Sequence, residues 1–109
     1  MSVSSLGTGL SGMQAYQNAL TVSANNVANS LTNGFAPKDA KFTSTAPGGV
    51  NVTAQPNPGT APASNTAPSG TNLTDEMVNQ LIYKTGFQAN AQVVKTSDQM
   101  LGTLVNTHA

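Results

Sequence analysis

The stretch SANNVANSLTNGFAPKDAKF, Ser23 to Phe42, begins as the end of an apolar-periodic helix and finishes as a turn leading into extended chain. Asn33 and Gly34 both tolerate positive φ, and Gly34 is placed to close a helix in the left-handed conformation. Pro37 biases Ala36 towards extended geometry. The helix is therefore expected to stop near Leu31 and to leave as an arm, GFAPKDAKF, with Phe35 and Phe42 as anchors against a neighbour. Asn25, Asn26 and Asn29 crowd the last turns before that stop. A buried Asn offers two donors and two acceptor lone pairs, and a packed seam satisfies them only in particular registers. Turn chemistry and end fraying account for Asn29 and Asn33; they leave the Asn25–Asn26 pair unexplained.

Upstream, Leu6, Leu10, Met13, Leu20, Ala24, Val27 and Leu31 recur at spacings of three and four, with Gln17 in the missing place. That pattern predicts a coiled-coil seam over ~4 heptads. Ser4 or Ser5 is the candidate N-cap. Gly7, Gly9 and Gly12 interrupt this half, and each costs about 0.5–1 kcal/mol relative to Ala in a helix interior. Two readings stand: the glycines admit a closely packed partner helix, or residues before about Met13 are a flexible terminus.

A second periodic segment runs from Leu73 to Asn106, opened by Asn72 as N-cap, with Asp75 and Glu76 in the first turn where negative charge suits the helix dipole. At ~1.5 Å per residue it spans about 50 Å. One stripe reads Leu73, Met77, Phe87, Ala91, Val94, Leu101 and Val105, interrupted by Gln80, Lys84 and Asp98. Another reads Ile82, Ala89, Val93 and Met100. Their two-residue offset places them about 200° apart, so one partner helix cannot cover both. A wet apolar stripe marks an interaction surface; one wide core face in a small homo-oligomeric bundle is the alternative.

Between them, Thr43 to Thr71 is dense in Pro, Gly, Ser, Thr and Ala, with Val50 and Val52 its only large apolar residues. Such a segment buries too little to offset the entropy of ordering and is expected to be a linker or exposed loop. The acceptor patterns at Asn51 and Asn72 are expected by chance in so Asn- and Thr-rich a chain.

Composition excludes several functions. Charged residues are 7% of the 109, against roughly 25% in ordinary soluble domains. Four basic residues balance four acidic ones and there is no Arg, so no electrostatic footprint for nucleic acid or an anionic membrane exists. No apolar run approaches the ~18 residues of a membrane span, and MSVSSLGTGL lacks the features of a cleavable secretory signal. There is no Cys, and the single His108 has no partners for a triad or a metal cage. GTGLSG, Gly7 to Gly12, has neither the preceding strand nor the Lys-Ser or Lys-Thr of a phosphate loop. Catalytic, cofactor-binding and metal-ligating residues are expected to be absent.

SANNVANSLTNGF resembles the N-terminal motif of bacterial flagellar rod and hook axial proteins, and Glu76 to Asn106, EMVNQLIYKTGFQANAQVVKTSDQMLGTLVN, is similar to the C-terminal helix of the same family. Two departures accompany the likeness. Asn33 stands where the family commonly has Pro, and Ala36-Pro37 follows Phe35 where a basic residue is usual. Hook and distal-rod members also carry a large domain between the helices, so the likeness is nearest to the small proximal-rod type.

The resemblance implies a structural subunit of the flagellar basal-body rod, partnered by other axial subunits and copies of itself. It further implies export by the flagellar type III apparatus without a cleaved signal, placing the chain in the periplasm-spanning rod. The rival expectation is a soluble helical-hairpin adaptor or export-associated paralogue that never enters the rod. The expected fold is all-α: helices over 4–31 and 73–106 pair as a coiled-coil hairpin, joined by a turn, arm and flexible loop over 32–72. The expected assembly interface comprises Leu6, Leu10, Met13, Leu20, Asn25, Asn26, Val27, Asn29, Gly34 and Phe35 on the N-terminal side. On the C-terminal side it comprises Met77, Phe87, Asn90, Ala91, Val94, Met100, Leu101 and Leu104.

Overall fold

Two long helices and a small hairpin make up the fold in a computed structural model that describes residues 2–46 and 48–108, with side chains described for 6–46, 48–57 and 59–105. Helix α1 runs Ser2–Ala28 and helix α2 runs Leu73–His108. Ser4 and Ser5 lie inside the first turns of α1, and their side chains, like that of His108, fall outside the described residues. At the start of α2 the Asn72 side-chain oxygen accepts from the Thr74 and Asp75 amides at 3.0 and 3.3 Å, satisfying donors that have no partner within the helix.

α1 gives way at Ala28, ahead of Leu31, where the helical spacing of backbone bonds tightens from four residues to three. Asn29 N–H donates to Asn25 O at 3.1 Å and Ser30 N–H to Val27 O at 3.0 Å. Gly34 then adopts φ +76°, a left-handed conformation that suits residues without a Cβ.

The expectation of an all-α chain is corrected by an antiparallel hairpin. Strand β1, Lys38–Ser44, pairs with β2, Val50–Pro56, in the register Lys38↔Pro56 through Ser44↔Val50. Its turn is closed by Thr45 N–H donating to Gly49 O at 3.0 Å, with Gly49 at φ +133°. An isolated two-stranded sheet is marginal in water. This one is fastened to α1 at Ser11, whose hydroxyl both donates to Val50 O and accepts from Val50 N–H, each at 2.8 Å. The Val50–Pro56 stretch of the segment expected to be an unordered linker thus pairs with the arm, with Val50 and Val52 each half-buried.

The helices lie antiparallel. Gly9 faces Val94, Gly12 faces Asn90, Tyr16 lies over Gly86 and Ser23 bonds Glu76. The contact line of α1 is Gly9, Gly12, Tyr16, Ala19, Ser23 and Asn26, which keeps the three-and-four spacing but sits one residue, about 100°, from the expected apolar stripe. The reason is size. A Cβ on Gly86 would stand 2.4–2.7 Å from the Tyr16 ring, and one on Gly12 2.8–2.9 Å from the Asn90 amide. Such close approach is open only to small residues, so the leucines of α1 are displaced from the contact line, Leu6 and Leu20 to its half-buried margin and Leu10 to solvent. Among the described residues the only buried hydrophobic side chains are Ala15 and Ala19. The molecule is correspondingly thin, 67 × 24 × 14 Å.

Candidate assembly interface

A polar latch closes the end of the helix pair where α1 stops and α2 starts. Asn26 is 2% exposed and holds three elements together. Its amide NH2 donates to Lys38 O at 2.7 Å and to Glu76 Oε2 at 3.0 Å, while its Oδ1 accepts from Lys38 N–H at 3.0 Å. Asn26 O in turn accepts from the Thr71 hydroxyl at 3.1 Å. Ser23 Oγ donates to Glu76 Oε1 at 3.2 Å and shares its proton with Glu76 O at 3.3 Å. Glu76, 7% exposed, is a buried carboxylate held by neutral donors. Burying a carboxylate is tolerable only with such hydrogen bonds, and the donors coincide in one helix register.

Asn25 and Asn29 do something different. Asn29 Nδ2 donates to Asn25 O and Oδ1, both at 2.9 Å, and Asn29 Oδ1 accepts from the Thr32 hydroxyl at 3.2 Å. They stitch the helix end locally. Of the crowded asparagines, Asn26 is the one that ties separate elements.

Beside the latch, Phe42 of β1 packs against Tyr16 of α1 and Tyr83 of α2, with centroids 5.2 and 5.9 Å apart, and the two tyrosines are 6.5 Å apart. These separations are those of favourable tilted ring contacts. Burial pushes the Tyr83 phenol above its ordinary value, and the nearby carboxylates of Glu76 and Asp39 push in the same direction.

The arm is also tied back. Gly34 N–H donates to Ala67 O at 2.7 Å and Gly70 N–H to Phe35 O at 3.1 Å, so residues 67–70 lie as a strap along the turn and Phe35 is half-buried. The strap is preceded by a short 3-10 turn, Pro58–Thr60, in which Asn57 Oδ1 accepts from Gly59 N–H at 3.1 Å.

The remaining expected interface residues fall into two groups. Phe87, Asn90, Ala91, Val94 and Leu101 are half-buried along α2, Asn90 opposite Gly12 and Val94 opposite Gly9, while Leu6, Met13, Leu20 and Val27 are half-buried on α1. Leu10, Met77, Met100 and Leu104 point to solvent, Met77 at 68% exposure. Leu31, Leu81, Ile82 and Val105 join them, Leu31 at 94%. A groove of about 370 Å³ between the helices is floored by Leu20, Met77, Gln80, Leu81 and Lys84. Sequence reasoning missed Ser11, Tyr16, Ser23, Glu76, Tyr83 and Gly86. The repeat of small residues at Gly9, Gly12, Ala19 and Ser23 was the available signal for the seam they serve.

Among the described residues no group of His, Cys, Asp or Glu could hold a metal ion, and no helix is long and apolar enough to cross a membrane. The arrangement offers packing and register.

Comparison with known proteins matches both ends. A family model described as "Flagella basal body rod protein" matches residues 6–35, and one described as "Flagellar basal body rod FlgEFG protein C-terminal" matches residues 68–107. The chain is similar to the flagellar hook protein FlgE of Escherichia coli and to that of Salmonella typhimurium, 50% identical to each over 34 residues. That stretch is 31% of this chain and 8% of either hook protein.

Proposed function

Because the chain belongs to the flagellar rod and hook axial protein family, we propose that it is a structural subunit of the flagellar basal-body rod, serving motility by packing and not by chemistry. The observation that carries this reading is the division of labour between stripes. Small and polar residues line the tightest contact inside the chain, and a series of large apolar residues, most of them on α2, is left exposed for neighbours.

An exposed series such as Met77, Leu81, Met100, Leu104 and Val105 is unfavourable for a lone soluble chain and natural for one that is covered on several sides. Burying one such side chain contributes about 1.5–3 kcal/mol, so covering the series supplies the drive for association that the small internal core lacks. In this reading the terminal helices form the coiled-coil layer of the axial tube, and the latch at Asn26 fixes their register before neighbours add. Partners are other axial subunits and further copies of the chain, and delivery is by the flagellar type III export apparatus.

Mass spectrometry of purified hook–basal bodies tests the proposal. Recovery in stoichiometric amount supports a built-in axial subunit. Absence from the particle, with the chain present in cytosol or culture medium, overturns it in favour of an adaptor or a secreted paralogue.

A further inference from the structure

We propose that Asn33–Gly34 is a site of spontaneous deamidation whose reactivity is set by the strap at residues 67–70. It is the single Asn-Gly step in the chain. Asn33 is exposed, and its side-chain amide has no hydrogen-bond partner among the described residues. The side chains of Asn26, Asn29, Asn57, Asn72 and Asn90 are engaged. Asn33 therefore combines a free amide with the least hindered following residue, since Gly34 carries no Cβ to shield its nitrogen.

The reaction is internal. The Gly34 backbone nitrogen loses its proton to solvent base and forms a bond to Asn33 Cγ. The bond from Cγ to the side-chain nitrogen breaks, that nitrogen takes up a proton and leaves as ammonia, and a cyclic imide remains. Water opens the imide at either carbonyl, giving aspartate or the isomer in which the chain runs through the former side chain. No oxidant, reductant or cofactor enters.

The structure holds the attacking group back. The N–H that must be lost donates to Ala67 O at 2.7 Å, and the Asn65 backbone lies 2.7–3.1 Å from where a Gly34 Cβ would stand. The strap itself is held by Gly70 N–H to Phe35 O and by the Thr71 hydroxyl to Asn26 O, both at 3.1 Å. Its residues, Ala67 to Gly70, carry no large apolar side chain to bury, which places it at the low-stability end of the molecule, where local opening is frequent. Reaction proceeds from the opened form. Its product adds a negative charge just beyond the C-terminal end of α1, where the helix dipole disfavours it, and the isomerised form also lengthens the backbone at the turn. An aged chain accordingly loses the closed turn.

The test is incubation of the full chain at mildly alkaline pH, with peptide mapping by mass spectrometry and isoaspartyl methyl-transfer labelling to follow Asn33. The comparison is the native chain, the same chain in urea, and Gly70→Ala, whose new Cβ would meet Thr60 O at 1.7 Å and must displace the strap. Deamidation at Asn33 is expected to be about tenfold slower in the native chain than in urea, the factor supplied by one net hydrogen bond at the upper end of its range. G70A should approach the urea rate. Equal rates in native chain and urea, or no reaction at Asn33 in urea, overturn the proposal. Should G70A lose its helical circular dichroism, Thr71→Val replaces it, and hydrogen exchange at the Gly34 amide of the unsubstituted chain decides independently. Protection supports the lock, and exchange at the unprotected rate overturns it.

Discussion

Substituting Gly86 by Ala separates packing from helix propensity by the sign of its effect. Gly-to-Ala within a helix gains about 0.8–1 kcal/mol from propensity alone. At Gly102, where an added Cβ meets nothing within 4 Å, that gain should appear in full. At Gly86 the same Cβ would lie 2.4, 2.5 and 2.7 Å from three atoms of the Tyr16 ring. Tyr16 cannot step aside freely, because its ring is packed against Phe42 and Tyr83. Either the ring trio is broken or the helices move apart, and overpacking of this kind costs about 1–3 kcal/mol.

The propensity gain is common to both variants, so G86A should be less stable than G102A by that same amount, about 1–3 kcal/mol. Urea denaturation followed by far-ultraviolet circular dichroism, with the two variants and the unsubstituted chain side by side, measures the difference. If G86A is stabilised as much as G102A, Tyr16 does not lie over Gly86, and the antiparallel register described above is wrong.

Three further outcomes are expected. Asn26→Leu strands the Lys38 amide and carbonyl and removes one donor from the Glu76 carboxylate. The loss should be about 2–4 kcal/mol, with helicity retained and motility impaired, read by denaturation and by swimming in soft agar; full stability and normal motility would make Asn26 ordinary helix surface. Leu81→Asp or Met100→Asp, both at exposed positions, should leave the melting of the isolated chain within about 0.5 kcal/mol while excluding it from hook–basal bodies. The Tyr83 phenol is raised in the folded chain above its ordinary 10.0, so its contribution to stability is complete below pH 10 and is lost as pH rises from there through the folded value. Denaturation midpoints should fall across that alkaline window, and Tyr83→Phe should flatten the fall; an unchanged slope would remove the tyrosine from the account.

Much of the fold was legible before any coordinates. The second helix begins at Leu73 because Asn72 caps it and Asp75 and Glu76 suit its dipole, and the turn at Asn33–Gly34 follows from backbone freedom. These are local effects, carried by residues adjacent in sequence. The crowding of asparagines drew attention to this turn, and Asn26 is the one that bonds to other elements, although nothing local distinguishes it from Asn25 one residue earlier.

The tertiary structure decided what depends on residues far apart. Periodicity gives two stripes per helix but not which one faces inwards. Apolar size favoured the leucines, whereas close approach across Gly9, Gly12 and Gly86 selected the small residues. The buried carboxylate at Glu76 read as dipole compensation in sequence, and only its meeting with Ser23 and Asn26, about fifty positions away, makes it a latch. The hairpin was concealed for the same reason. β1 and β2 are individually too polar to announce themselves, and they order because each supplies the other's backbone hydrogen bonds while Ser11 fastens the pair to the helix. Sequence thus determined where elements start and stop, which is a matter of nearest neighbours; the assignment of inside and outside was settled by steric fit between chain segments that meet only when folded.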